Sequence, residues 1–302
     1  MTSNAPVKVW ILIVNYNSGE DCILCLQSLL KSDFQDFGIV IVDNHSTDSS
    51  LAELEQFFRL HLPESMILDS RALDENTFRQ TRLVLVRHHL NPGFASGNNV
   101  ALKWLQEQNA WIWLLNPDIQ VDPSTISFLL QDAGEDKNQI IGTRVFSSQN
   151  PEKLLHTGAW KINWFAGNVS PVKAPDQPFD YIYGGSLFTH AENFKKYGLL
   201  PEEYFLYWEE TDWCFRLSGA GVKLKISSLA RVFDRVGGSI GRGYLAFFYY
   251  TLNSLRFVKK QKPEMVKWVI ISNVFRVLKK LFFLRFKQAR GIWSGTVAFL
   301  KL

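Results

Sequence analysis

The first half of this 302-residue chain alternates short apolar runs with polar loops and amphipathic stretches. Four runs have the length of buried strands: Val7–Val14, Gly38–Val42, Leu83–Val86 and Trp111–Leu115. Helical patterns follow over about Glu20–Leu30, from near Ser49, and from Asn98 to about Gln108. Strands that alternate with helices predict a parallel sheet covered by helices on both faces, an α/β fold. Between them, His61–Arg82 is polar and predicts an insertion or a long loop.

Each of the four strands ends in a polar loop, and in such sheets ligands bind at the carboxyl ends of the strands. In the first two loops, the stretch Asn15–Ser18 and the pair Asp43-Asn44 have the groups that bracket a nucleoside. Asp43 would accept a hydrogen bond from the ring N–H of uracil or thymine. The alternative is that Asp43 only caps the next helix, although Asp48 is also available for that role.

The third loop is Asn91–Asn99, in which Gly93 and Gly97 allow the backbone to approach a ligand closely. A helix that starts at Asn98 would present its first N–H groups to an anion. The alternative is an ordinary loop with a helix cap. The loop matches neither the dinucleotide-binding nor the P-loop pattern, which argues against an oxidoreductase and an NTPase.

The fourth loop places Asp118 directly after a buried strand. A carboxylate there is suited to a divalent metal that also binds a diphosphate. The alternative is a plain turn with Pro117 at its second position.

Glu209, Glu210 and Asp212 form an acidic cluster among aromatic residues. Like charges in an apolar setting raise at least one carboxyl pKa, which suits a general base. The alternative is a charged, solvated surface. The two cysteines Cys22 and Cys25 have metal-site spacing, but no further ligands complete a set, so we expect them in the core.

In this order the motifs resemble family 2 glycosyltransferases with a GT-A fold, most closely the rhamnosyltransferase-like members. The resemblance covers about residues 7–260. It is carried by six segments: Asn15–Asn17, Val42–Asp48, Asn91–Asn99, Leu115–Asp118, Gly184–Ser186, and Tyr204–Asp212 with Arg216.

The resemblance implies a GT-A-type, Rossmann-like, mostly parallel sheet flanked by helices, with a C-terminal helical extension. It implies that Glu210 is the catalytic base, supported by Glu209 and Asp212, where the family usually has Asp at the base position. Asp118 and Asp234 would bind Mg²⁺ or Mn²⁺, and Asp234 stands near Gly237–Ser239, where the family often has a His ligand. The implied nucleotide-sugar residues are Val14, Asn15, Tyr16, Asn17, Asp43, Asn44, Asn91, Gly93, Phe94, Asn98, Asn116 and Gly185.

The function that follows is metal-dependent, inverting transfer of a sugar, rhamnose first, from a dTDP- or UDP-sugar to a saccharide or lipid-linked acceptor in surface polysaccharide synthesis. One alternative is a sugar nucleotidyltransferase, which needs a Gly-rich basic loop that the first strand lacks. Another is an inactive sugar-nucleotide-binding scaffold, since Asn116, Glu210 and Asp234 all depart from the family pattern. A nucleic-acid partner has no matching motif.

Charge is concentrated at the end of the chain. Residues 256–302 carry twelve Lys or Arg and one acid, so this stretch contributes +11 to a formal net charge of +4. The pattern between Val266 and Arg290 predicts one basic amphipathic helix. It would either dock on an anionic membrane surface or pack its apolar face on the catalytic domain.

From these patterns we predict a catalytic domain over 1–243, with a nucleotide-sugar half at about 1–120 and an acceptor half at about 121–243, and a tail over 244–302. We find no secretory signal and no run of spanning length. We expect a cytoplasmic protein, with docking on the inner face of the membrane as one of the two possibilities for the tail.

Overall fold

The computed structural model describes residues 7–174, 176–234 and 243–302. Within these ranges the strands are β1 (Val9–Asn15), β2 (Phe37–Asp43), β3 (Met66–Asp69), β4 (Leu83–Arg87), β5 (Trp111–Leu115), β6 (Ile119–Val121), β7 (Gln139–Ser147), β8 (Leu154–His156), β9 (Ala159–Asn163), β10 (Asn168–Pro171), β11 (Tyr181–Ile182), β12 (Ser186–His190) and β13 (Lys223–Asp234). The helices are α1 (Gly19–Leu29), α2 (Ser50–His61), α3 (Thr77–Gln80), α4 (Phe94–Leu105), α5 (Thr125–Ala133), α6 (Ala191–Tyr197), α7 (Glu209–Gly219), α8 (Tyr244–Gln261), α9 (Val266–Phe282) and α10 (Phe286–Leu300), with a 3₁₀ turn at Pro263–Met265.

The described strands form one large sheet in the order β3-β4-β2-β1-β5-β12-β7-β13-β6, with β8 paired to β7. The five strands from β3 to β5 are parallel, and β12 then runs antiparallel to both of its neighbours. A separate small sheet contains β10, β9 and β11. The predicted α/β fold with a mostly parallel sheet and C-terminal helices is confirmed.

The apolar run of β1 is buried along its whole length because both faces of the sheet are covered. Trp10 and Leu12 face one core cluster, which also contains residues of α4. Ile11 and Ile13 face the other, together with residues of α1 and α2. Cys22 and Cys25 lie in that second core, as predicted, and burial raises the pKa of both thiols.

The segment 61–82 is not a simple insertion or loop. It adds the strand β3 to the sheet, parallel to β4, followed by the single turn of α3. Strand β3 escaped prediction because an edge strand of four residues is only partly buried and has no clear apolar period.

The predicted single helix over Val266–Arg290 is wrong, since it is two helices separated by a left-handed turn. Leu284 has a φ of 55°, its N–H donates to the carbonyl of Leu281, and the N–H of Arg285 donates to that of Lys280. This is a Schellman motif with Leu where glycine is usual, so the sequence lacked the ordinary stop signal. Of the helices that the structure describes, none has the length and apolar character that crossing a bilayer requires.

Helix α8 belongs to the core by its contacts. Its residue Phe257 packs against the rings of Trp164, Trp208 and Phe215. The division at residue 243 stays a prediction, and α8, which follows it in sequence, packs against the predicted catalytic domain.

Helix α10 packs closely on α8 through two glycines. A Cβ at Gly291 would lie 2.6 Å from the carbonyl oxygen of Tyr244, and one at Gly295 would lie 2.6 Å from that of Phe248. Both contacts advance by four residues, so the two helices run side by side in the same direction. Asn273 of α9 donates a hydrogen bond to Thr296 of α10, which joins the third helix to this pair.

We expect Gly291→Ala to destabilise the protein, because the new methyl group must push the backbone of Tyr244 away. A cost of about 1–3 kcal/mol is typical of such overpacking. Gly219→Ala is the control, since open space surrounds Gly219, which ends α7. Urea unfolding of both variants checks this, and equal stability of the two would contradict the close helix contact.

Candidate active site

The loops after β1, β2, β4 and β5 meet at one edge of the sheet, as the parallel arrangement requires. They open onto a cavity of about 900 Å³. Its lining residues are Val14, Tyr16, Ser18, Asn44, Asn91, Gly93, Phe94, Asn116, Pro117, Phe205, Leu206, Gly243, Tyr244, Leu245, Ala246, Tyr249, Lys287 and Arg290. Seven predicted nucleotide-sugar residues are among them, and Asn15, Asn17, Asp43, Asn98 and Gly185 are not.

Asp43 is fully buried beneath this cavity and binds its own loop. Its carboxylate accepts hydrogen bonds from the side-chain amide of Asn15 at 2.7 Å and from the hydroxyl and N–H of Ser46 at 2.6 and 3.0 Å. Asp48, in contrast, accepts from the N–H of Ser50 at the start of α2. Asp43 is thus not the helix cap. It holds the first two strand-end loops together.

Asn17 lies in the same loop on the exposed side. It has a φ of 53°, and its side-chain oxygen accepts a hydrogen bond from the N–H of Thr47 at 2.8 Å. Asn15 and Asn17 therefore both bind the loop after β2, which fixes the position of Tyr16 between them.

Gly93 adopts a φ of 94°, which only glycine does readily, and it brings the third loop against a protein segment. A Cβ at this position would collide with the carbonyl of Phe205, which accepts a hydrogen bond from the N–H of Phe94 at 3.0 Å. The close approach that the glycine permits is thus to Phe205.

The predicted helix start at Asn98 is wrong, because α4 begins one turn earlier, at Phe94. Asn98 is buried in the second turn, and its amide donates to the carbonyl of Phe94 at 2.9 Å. Two N–H groups of the first turn already have partners, since that of Phe94 donates to the carbonyl of Phe205 and that of Gly97 donates to the carbonyl of Gly93.

The acidic pair Glu209-Glu210 begins α7 directly after two strained residues. Tyr207 and Trp208 have φ values of 65° and 77°, a left-handed conformation that costs about 1–3 kcal/mol per bulky residue. Burial of the Trp208 ring against Tyr250 and Phe257 of α8 holds this conformation. The turn directs both acids into the protein at the positive end of a helix.

Glu210 packs against Gly184, where a Cβ would lie 2.7 Å from its Cγ. Burial raises the pKa of Glu210 to about 7, and backbone N–H groups, including that of Gly184, oppose the rise. Burial, and then the charge of Glu210, raises the pKa of Glu209 well above its usual range. Among the described residues, Oε2 of each acid has no hydrogen-bond partner.

Asp212 has a different environment, although it lies in the same helix. It is completely buried and accepts hydrogen bonds from Lys260 at 2.7 Å and Gln261 at 2.8 Å. Arg216 approaches its carboxylate to 3.9 Å. These contacts join α7 to the end of α8.

Tyr183 connects the remaining acids, and sequence reasoning missed it. Burial raises the pKa of its hydroxyl, and the nearby charges of Asp234, Asp118 and Glu210 raise it further. A Cβ at Gly185 would lie 2.6 Å from the Tyr183 hydroxyl, so Gly185 is the glycine that lets this ring reach the acids. The only sequence signal was its position directly before Gly184–Ser186.

Asp118 and Asp234 lie at adjacent ends of two paired strands. Asp234 ends β13 and pairs with Ile119, the residue after Asp118. Two carboxylates side by side fit Mg²⁺ or Mn²⁺, which commonly binds one or two protein carboxylates and completes its shell with substrate phosphates and water. No group of three or more such ligands occurs in the described part of the chain. The predicted Gly237–Ser239 motif lies outside the described residues.

The cavity and the acids are joined through Asn116. Asn116 lines the cavity, and its backbone N–H donates to the carbonyl of Gly185 at 2.9 Å. Asp118 follows two residues later in the same loop. The site thus combines a nucleotide-sized cavity, a carboxylate pair suited to a cation, and a buried carboxylate with a raised pKa.

Comparison with known proteins shows the family of the chain. The family model described as glycosyl transferase family 2 matches residues 10–171, more than half of the chain. The chain belongs to glycosyl transferase family 2. The matched region contains the first four strand-end loops and Asp118.

Two curated relatives of this family 2 chain act in glycan and wall-polymer synthesis by their descriptions. A low-salt glycan biosynthesis hexosyltransferase, Agl10 of Haloferax volcanii, is 28% identical over 216 residues, which is 68% of this chain and 60% of that protein. A teichoic acid poly(glycerol phosphate) polymerase of Staphylococcus epidermidis is 25% identical over 145 residues, which is 48% of this chain and 17% of that protein. The chain thus spans less than two thirds of either relative.

Solved structures share the fold. A mannosyltransferase from Pyrobaculum calidifontis, in complex with GDP-Man and Mn²⁺, aligns with a TM-score of 0.60 and 12% identity over 98% of this chain and 89% of that one. GalNAc-T7 with UDP, GalNAc and Mn²⁺ aligns with a TM-score of 0.63 and 14% identity over 85% and 48%.

We expect the Glu210→Gln variant to be more stable than wild type at pH 8, and to show a smaller gain or none at pH 4. The carboxyl pKa rises from 4.5 to about 7 on folding. Between these values the native state holds more protons than the unfolded state, so the free energy of unfolding falls as pH rises, and this loss is complete above about pH 7. A neutral Gln removes the loss, a gain of about 1–3 kcal/mol at pH 8.

Urea unfolding at pH 4 and pH 8 checks this, with Glu135→Gln, an exposed position, as the control. The same stability difference from wild type at both pH values would show that Glu210 is not a buried charge.

Proposed function

We propose that this chain is an inverting glycosyltransferase that transfers a sugar from a nucleoside diphosphate donor to a hydroxyl group of a glycan or lipid-linked acceptor. The observation that carries the proposal is the Glu210 carboxyl, with its raised pKa and unpartnered Oε2, beside the carboxylate pair Asp118 and Asp234. Family 2 membership and the titles of the two solved neighbours, which name UDP and GDP-Man, support a nucleotide-sugar donor.

In the proposed reaction the acceptor oxygen forms a bond to the anomeric carbon while the bond from that carbon to the diphosphate oxygen breaks. Glu210 takes the proton of the acceptor hydroxyl. A general base works best when its pKa lies near the working pH, which the burial of Glu210 provides. Attack from the face opposite the leaving group inverts the anomeric configuration.

Glu209 does not compete for this role. Burial, and then the charge of Glu210, raises its pKa well above the usual range, which disfavours the charged form that a base needs. We assign Glu209 to holding the helix start, and Asp212 to joining α7 and α8, so both become positioning residues. Asp43 likewise positions the loops after β1 and β2. We assign binding of the nucleotide base to the cavity residues Tyr16, Asn44 and Asn91.

Asp118 and Asp234 would hold the divalent cation, Mg²⁺ or Mn²⁺. A cation bound there would neutralise charge on the leaving diphosphate. Mn²⁺ in both solved neighbours supports this assignment. For the donor, rhamnose is the first sugar to test because of the motif resemblance, followed by other hexoses, because Agl10 is described as a hexosyltransferase.

Glu210→Gln should lower transfer by a factor of about 10²–10⁴, the usual contribution of a general base, while donor affinity stays near that of wild type. Glu209→Gln is the matched control, because it makes the same change at the neighbouring buried acid, which we assign a positioning role. Transfer or donor hydrolysis measured with nucleotide sugars and Mn²⁺ checks this. Near-normal turnover of E210Q, or an equal loss in E209Q, would contradict the assignment, and no turnover by wild type would favour a binding scaffold.

We further propose that α9 docks on an anionic membrane surface, where a lipid-linked acceptor lies. Only Val269 and Asn273 of α9 are buried. Its exposed apolar residues continue through the turn into α10, and we call this set the α9 apolar face. It consists of Trp268, Ile271, Val274, Phe275, Leu278, Leu281, Phe282, Phe283, Leu284 and Phe286.

Charge supports an anionic membrane as the occupant of the α9 apolar face. The surrounding segment carries the +11 excess of residues 256–302, which matches anionic lipid headgroups. The face also has the aromatic and aliphatic side chains that enter the headgroup boundary of a bilayer. The other possibility for the tail, packing on the domain, applies to α10 and to the Val269 side of α9, which lies in the core, while the α9 apolar face stays exposed.

Phe282→Ser combined with Phe286→Ser should reduce binding to vesicles of anionic phospholipid at least about tenfold, since two exposed rings no longer enter the bilayer. The control is Leu60→Ser with Leu229→Ser, two exposed apolar positions away from the tail. Vesicle flotation measures both. Equal binding of the two double variants would contradict the docking role of α9.

A further inference from the structure

Two cations of the C-terminal helix line the cavity at the strand ends. They are Lys287 and Arg290, in the first turns of α10, and they share the cavity with Asn116 and Pro117 from the loop after β5. The first half of the chain and its last helix thus contribute to one site.

The packing of α10 on α8 places these cations. Gly291 contacts the backbone of Tyr244 at the start of α8, so the turn that precedes it lies over the cavity. The Arg290 guanidinium stands 5.4 Å from the centre of the Tyr244 ring, which itself lines the cavity. A cation–π contact of this kind orients the guanidinium.

The cavity has no negative charge to balance them. Of its described lining residues, Lys287 and Arg290 are the two that carry charge, and none is Asp or Glu. Within the described ranges, neither cation forms an ion pair. The rest of the lining consists of aromatic, aliphatic and amide groups, so an anion would complete the site.

We propose that Lys287 and Arg290 form a phosphate-binding end of the cavity. Arg presents a planar fork of donors that suits phosphate oxygens, and Lys adds a point charge. The ligand is a phosphate or diphosphate ester, either the donor diphosphate or the phosphate of a lipid-linked acceptor. Only the identity of the ligand rests on the proposed function, while the anion site follows from the cavity.

The position of the site along the chain connects it to the α9 apolar face. That face ends at Phe286, one residue before Lys287. A lipid phosphate at a membrane surface would therefore meet these two cations next to the residues that enter the bilayer. Lys287 and Arg290 line the cavity, whereas the other cations of the tail are not among its described lining residues.

The test is a calorimetric titration of the full chain carrying K287A and R290A together. The donor probes are UDP, dTDP and GDP with MnCl₂, and the acceptor probe is farnesyl phosphate. We expect affinity for at least one class of probe to fall at least about tenfold, because two charged contacts to phosphate are lost. A loss confined to the nucleoside diphosphates assigns the site to the donor, and one confined to farnesyl phosphate assigns it to the acceptor.

The matched control is K31A with R71A, which removes one exposed Lys and one exposed Arg outside both the cavity and the C-terminal helices. Affinities of K287A/R290A within twofold of wild type for every probe, an equal loss in the control, or no binding of any probe to wild type would each overturn the inference. Transfer activity is measured separately, so an inactive protein with an intact phosphate site is distinguishable from an enzyme without one.

Discussion

The burial of the aromatic loop 204–208 is the interaction on which the site depends. At one end the carbonyl of Phe205 accepts a hydrogen bond from the N–H of Phe94 and lies against Gly93, so the loop fixes the start of α4. At the other end Trp208 inserts against α8, while the amide of Asn253 on α8 donates to the carbonyl of Leu206 at 2.8 Å. The loop therefore joins the strand-end edge of the sheet, the acidic pair and the C-terminal helices.

This arrangement has an energetic cost that the proposed function explains. Two left-handed aromatic residues and two buried carboxyls all destabilise the native state, and each persists only because surrounding packing exceeds its cost. A buried acid with a pKa near neutrality is of little use to a fold and of direct use to proton transfer. The same packing leads from α8 to α10, so the position of Lys287 and Arg290 depends on it too.

The sequence predicted the features that depend on local pattern. Apolar runs gave β1, β2, β4 and β5, and the rule for strand ends placed Asn44, Asn91 and Asn116 on one cavity. What it missed depends on contacts distant in sequence. The position of Tyr183 near three acids depends on the close approach of Gly185. The position of Arg290 at the cavity depends on the contact of Gly291 with α8. Asp43 and Asp212 have the residue type and position of site residues, but only the structure shows their hydrogen bonds with Ser46 and Lys260.

In the proposed function, the cavity at the strand ends binds a nucleoside diphosphate next to the carboxylate pair, whichever phosphate ester Lys287 and Arg290 bind. A crystal structure of the protein with Mn²⁺ and the tightest-binding nucleoside diphosphate is the sharpest test of this binding. We predict metal density at Asp118 and Asp234, the nucleoside beside Asn44 and Phe94, and Glu210 open to the acceptor side. A nucleotide bound elsewhere, or a metal held away from both aspartates, would contradict it.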